Sequence, residues 1–92
     1  MSPGPSSPAG APAPVTVRFF AGARAAAGVD AEQRSAATLD ELVTALAAAH
    51  GDRLARVLPA CSFLVDGTST RDRALVLSPG ATVDVLPPFA GG

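Results

Sequence analysis

The sequence predicts one α+β domain, a mixed sheet of about five strands with one main helix packed on one face. Three observations predict it. Apolar residues alternate with others over residues 15–20 and 82–86, the period-two signature of strands. Between them, Leu39, Leu42, Val43 and Leu46 recur at i, i+3, i+4 and i+7, which draws a single apolar stripe along a helix. Asp66-Gly67 and Pro79-Gly80 are turn dipeptides that divide the second half into short strands.

Taken in chain order, residues 1–14 read MSPGPSSPAGAPAP and hold five of the nine prolines with no large side chain beyond Met1. Nothing there can offset the entropy of ordering, so the segment reads as a disordered, partly polyproline-like extension; the same composition suits a docking arm. The folded unit is expected at 15–86, with 87–92 as a projecting tail. In the first strand Val15, Val17 and Phe19 fall on one face and Thr16, Arg18 and Phe20 on the other. An Ala-rich turn region ends at Gly28, and 29–35 is a weaker extended segment.

Thr38-Leu39-Asp40-Glu41 fits a capping box, in which the Thr38 hydroxyl accepts from an early helix amide and Glu41 reaches back to the cap. Alanines follow inside the helix, and His50-Gly51 supplies a favourable last-turn residue and a left-handed stop. Residues 61–65 form the next strand, Asp66-Gly67 a tight hairpin, and 68–70 a short return strand. Pro79-Gly80 suits the centre of a type II turn before the last strand, where Val83 and Val85 alternate with Asp84.

Composition narrows the function. Ninety-two residues make one core, and twenty of the apolar residues are alanine, so that core is small. Seven basic side chains, all arginine, nearly balance eight acidic ones, and no basic cluster marks a nucleic-acid footprint. No stretch nears the ~20 continuous apolar residues of a membrane span. One cysteine excludes an internal disulfide, and no basic start with an apolar signal core is present, so a cytoplasmic protein is expected. His50, the sole histidine, reads as a partner of the helix dipole rather than a base, and Cys61 as a small buried hydrophobe rather than a nucleophile. Neither a zinc-ligand spacing, a phosphate-cradling glycine loop nor a paired-carboxylate motif is present, so an enzyme acting alone is not expected and no metal is expected on this chain.

The chemistry concentrates at the end, Leu86-Pro87-Pro88-Phe89-Ala90-Gly91-Gly92. Two prolines cannot donate to a sheet ladder, so the last strand must stop near Leu86 and hand over to a stiff stem. Beyond Phe89 the side chains shrink to Ala, Gly and Gly, a thread slim enough for a cleft that any Cβ would obstruct. A capped central helix, CSFLVDG, SPGATVDVLPP and the terminal Gly91-Gly92 together resemble the MoaD/ThiS family of ubiquitin-like sulfur carriers, and the Pro87 to Gly92 end looks most like the molybdopterin synthase small subunit. The resemblance spans about 15–92. Phe89 stands where a smaller aliphatic residue is commoner, and Ala25 where an acidic residue often follows the first strand.

The resemblance implies a β-grasp, ubiquitin-like roll and a mechanism. An adenylating enzyme of the ubiquitin-activating type would use ATP and Mg²⁺ to convert the Gly92 carboxylate to an acyl-adenylate, and a persulfide sulfur donor would turn that into a thiocarboxylate. This chain would bind no cofactor of its own. As the non-catalytic small subunit of a molybdopterin synthase, in a two-plus-two heterotetramer with the large catalytic subunit, it would give sulfur to a pyranopterin precursor and so build the dithiolene of molybdenum cofactor. Gly92 would carry the sulfur, Gly91 and Ala90 give clearance, Pro87 and Pro88 set reach, and Phe89 anchor at the cleft mouth. Recognition of the domain also requires an apolar patch on the sheet face, with Phe20, Leu86 and Phe63 as candidates and Phe63 better read as core. Alternatives are a carrier for thiamine or cysteine synthesis, a ubiquitin-like modifier, and a non-covalent binding module.

Overall fold

The computed structural model describes residues 14–88. The expectations for residues 1–13 and 89–92 lie outside the described residues. Strand β1 (Pro14–Phe19) leads into helix α1 (Ala21–Ala27), then strand β2 (Ala31–Ser35) and helix α2 (Leu39–His50). Helix α3 (Asp52–Val57) and a 3₁₀ turn at Leu58–Ala60 follow, and strands β3 (Ser62–Val65), β4 (Thr68–Thr70) and β5 (Thr82–Leu86) complete the sheet. Its order is β2-β1-β5-β3-β4, with β1 and β5 parallel and the other pairs antiparallel. The mixed sheet with helices on one side is a β-grasp, ubiquitin-like fold.

Period two and period 3.6 meet in one core. Val15, Val17 and Phe19 of β1, Phe63 of β3, and Val83 and Val85 of β5 face Leu39, Leu42, Val43 and Leu46 of α2, all buried. Leu54 and Leu58 close the end of that layer. Phe63 is therefore core, as expected.

Two short helices replace segments that the sequence left as turn or unassigned. The Ala-rich run folds as α1 because alanine loses no side-chain entropy in a helix, and Gly28 ends it at φ 82° with its amide donating to the Arg24 carbonyl. Phe20, expected as the last strand residue, is the extended N-cap of α1, and Pro14, expected in the extension, opens β1. The extended segments expected at 29–35 and 61–65 start later, at Ala31 and Ser62, since Val29 and Asp30 belong to the bend that follows α1 and Cys61 caps the 3₁₀ turn.

The capping box forms with one change. Thr38 Oγ1 accepts from the Glu41 amide at 3.2 Å, but Glu41 Oε1 accepts from the Ala37 amide, one residue beyond the cap. The loop joining β4 to β5 completes the cap: the Leu39 and Asp40 amides donate to the carbonyls of Leu75 and Arg73 at 3.0 and 2.8 Å. That loop is thereby tied to the helix N-terminus. His50 does more than face the helix dipole, since its Nε2 lies 2.7 Å from Glu32 Oε1 on β2 and its ring meets Phe19 edge-on at 5.6 Å. Asp66 and Gly67 both adopt positive φ, 51° and 86°, as a tight hairpin requires, and Gly80 at 78° follows Pro79 in a turn closed by the Ala81 amide on Ser78.

Candidate functional site

β5 is the last strand in the chain and the middle strand in the sheet. Its final rungs join Val85 to Phe19 and to Phe63, and Leu86 to Ser62. The tail consequently leaves from the centre of a five-stranded sheet, held on both sides, rather than from an edge. Pro87, half-buried, and Pro88, exposed, continue directly from Leu86 and have no amide for the ladder. The strand stops where the sequence required it to stop. Phe89, Ala90, Gly91 and Gly92 lie outside the described residues.

Residues of the outer face gather at the root of this tail. Alternation places Thr16, Arg18 and Phe20 on that face of β1 and its continuation, and Thr82, Asp84 and Leu86 on that face of β5. Phe20 is 39% exposed and Leu86 is half-buried, so the two residues expected as a partner surface share one side of one strand pair. Between Phe20 and the centre of the sheet stands an ion pair: Arg18 Nε donates to Asp84 Oδ1 at 2.6 Å and a terminal guanidinium nitrogen to Oδ2 at 2.8 Å. Asp84 is only 6% exposed, and its carboxylate, by hydrogen bonding and charge, raises the Arg18 pKa above its usual value. The same guanidinium sits 5.8 Å from the centre of the Phe20 ring. One arginine thus satisfies a buried carboxylate and braces an exposed aromatic ring.

Sequence reasoning missed this pair. The residues are 66 positions apart, and only the register Arg18↔Asp84 makes them neighbours. The available signal was an acidic and a basic residue at equivalent polar positions of two otherwise apolar strands.

Cys61 lies on the other side of the sheet, as a buried thiol donating to the Val57 carbonyl at 3.3 Å. Burial pushes its pKa up to about 11, which keeps it protonated and unreactive at neutral pH, as its apolar surroundings suggested. It forms part of a groove of about 190 Å³ lined also by Pro59, Ala60, Phe63, Arg71 and Arg73. Among the described residues no cluster of three or more His, Cys, Asp or Glu side chains could hold a metal ion. None of the described helices is long and apolar enough to cross a membrane.

The profile of the ThiS family matches residues 17–92, from the first strand through both terminal glycines. The chain belongs to the MoaD/ThiS family. No curated protein matches it. Among solved structures, this family member is similar to the Haloferax volcanii HVO 2177 protein at 28% identity and a TM-score of 0.77, over 96% of this chain and 93% of that one. A complex of subunits 1 and 2 of the molybdopterin-converting factor of Helicobacter pylori contains a chain 25% identical, with a TM-score of 0.66 over 86% of this chain and 99% of that one. The small archaeal modifier protein 1 of Methanosarcina acetivorans shares the fold at 23% identity and a TM-score of 0.77, over 87% of this chain and 97% of that one. The family is one of ubiquitin-like sulfur carriers.

Proposed function

We propose that this MoaD/ThiS family member is the sulfur-donating small subunit of a molybdopterin synthase, and that Gly92 is the residue that carries the sulfur. The observation that carries the reading is that the family match runs through Gly92 while β5 ends at Leu86, so the matched segment extends past the sheet into LPPFAGG. The similarity to a chain within the Helicobacter pylori converting-factor complex supports the choice of pathway.

A C-terminal carboxylate has a pKa of about 3.5 and is an anion at neutral pH, hence a poor electrophile. Activation therefore comes first. On an adenylating enzyme of the ubiquitin-activating type, with ATP and Mg²⁺, a Gly92 carboxylate oxygen attacks the α-phosphorus and pyrophosphate leaves. A persulfide on a donor protein then attacks the acyl carbon and AMP leaves; cleavage of the resulting acyl disulfide by a thiol frees the thiocarboxylate. In the synthase the loaded tail enters the large catalytic subunit, in a two-plus-two assembly, and passes sulfur to a pyranopterin precursor. Pro87 and Pro88 set the reach, Phe89 anchors at the cleft mouth, and Ala90 and Gly91 clear its walls. Phe20 and Leu86 dock the domain.

Intact mass of the protein from its native cells tests the reading. An oxygen-to-sulfur exchange of about 16 mass units, localised to Gly92 by fragmentation, is the expected result. A free carboxylate that persists after incubation with activating enzyme, ATP and sulfur donor rejects it. Deleting Gly92 should leave the thermal melt unchanged and abolish sulfur transfer; transfer that survives the deletion removes Gly92 from its role.

A further inference from the structure

We propose that no side chain of this protein competes for its own activated terminus, so that, the α-amine aside, a Gly92 acyl group passes to nucleophiles brought by other molecules. The inference rests on the carrier reading for its biological meaning and deepens it, because it defines the acceptor: a foreign thiol, persulfide or amine. Any activated Gly92, whether acyl-adenylate or thioester, faces the same hazard. A nucleophile bonds to the carbonyl carbon, the bond to the leaving group breaks, AMP or thiolate departs with the electron pair, and the attacker's proton passes to solvent. Six residues beyond Leu86 can extend at most about 21 Å, far enough to fold back on the parent domain or touch a second copy.

Each class of side-chain nucleophile is withdrawn by a different means. All seven basic side chains are arginine, whose guanidinium remains protonated, and the sequence contains no lysine. The one thiol, Cys61, is 7% exposed and engaged with the Val57 carbonyl. With a pKa near 11, its thiolate fraction at pH 7.5 is below about 0.1%. The one imidazole, His50, has its side chain 14% exposed, its Nε2 held 2.7 Å from Glu32 and its ring against Phe19. Serine and threonine hydroxyls attack acyl groups effectively only with an adjacent general base, and the single imidazole is occupied. Arginine at every basic position keeps positive charge on the surface without an acylatable amine.

The experiment uses the full chain made by chemical synthesis, N-terminally acetylated, with an aryl thioester at Gly92 as the probe. Incubated alone at pH 8.5, it should yield only the hydrolysed free acid; with added ethylamine it should yield the ethylamide, which shows that the thioester is live. Arg71→Lys and Arg56→Lys, both at exposed positions, should each produce amide-linked cyclic or dimeric chains at least about tenfold above the parent. Self-joined product from the parent chain, mapped to Cys61, His50 or a hydroxyl, overturns the proposal. So does inertness of both lysine variants, because lysine would then not be what the sequence avoids. The thioester is installed chemically, so this result is independent of whether the native terminus carries sulfur; failure of the carrier reading shows separately, as unmodified Gly92 in the native mass.

Discussion

The two faces of the β1–β5 pair are made by the same two stretches of backbone and do opposite things. Inward, Val15, Val17, Phe19, Val83 and Val85 are all buried, and they meet the leucines of α2 with no polar group among them. Outward, the alternate positions hold a buried carboxylate, the arginine that satisfies it, a partly exposed phenylalanine and a leucine at the root of the tail. Burying apolar area stabilises the inner face without regard to partners. The outer face leaves Phe20 partly exposed and braces it with a directional ion pair. Period two along a strand allows one segment to meet both demands, because substitution on one face leaves the other in register.

The largest effect is expected from the inner face. Leu46 is fully buried in the α2 stripe, and Leu46→Ala should lower unfolding free energy by about 2–5 kcal/mol in urea titration, through lost burial and the cavity left behind. A loss near zero would mean that the helix does not carry the core. Next comes an alkaline effect on the same side. Cys61 has its folded pKa raised to about 11 from 9.0 by burial, so the folded state holds its proton where the unfolded chain has lost it. Stability is unaffected below pH 9, falls as pH rises through 9 to 11, and levels off above. With no lysine or tyrosine to titrate in that window, Cys61→Ala should flatten the fall in melting temperature, and a slope that survives the substitution would exclude Cys61 as its source.

How much of this could be read from sequence follows the range of the interactions involved. The capping box and stripe of α2, the Asp66-Gly67 hairpin, the Pro79-Gly80 turn and the end of β5 at Leu86 each depend on residues within a few positions of one another, and local rules found them. α1 escaped because seven mostly alanine residues carry no apolar stripe, and α3 because six residues are too few for one. The Arg18–Asp84 pair, the His50–Glu32 contact and the loop carbonyls that cap α2 join distant segments, so only sheet register and packing bring them together. For the candidate site, residue types were visible in LPPFAGG, while the central position of β5, from which Pro87 and Pro88 continue, needed the fold.

A smaller stability effect tests the α2 cap. Thr38→Ala removes the acceptor for the Glu41 amide and should cost about 1 kcal/mol, measured by the same titration. A loss much below that would show that the Leu75 and Arg73 carbonyls suffice to hold the helix start.

The smallest change in stability should accompany the largest change in recognition. Phe20 is 39% exposed and is braced by Arg18 rather than packed in the core, so Phe20→Ala should alter unfolding free energy by no more than about 0.5 kcal/mol. If the outer face docks the large subunit, the same substitution should weaken that complex by about tenfold or more in calorimetric titration, since aromatic side chains at the centre of an interface contribute most of its affinity. Unchanged affinity would leave the tail as the sole point of recognition and the Arg18–Asp84 pair as a purely structural device. A large fall in stability would instead move Phe20 from the outer face to the core and erase the distinction between the two. The inner-face Leu46→Ala protein, assayed well below its melting temperature, should bind with near-parental affinity, and that contrast between the two variants is what separates a surface built for a partner from a core built for the fold.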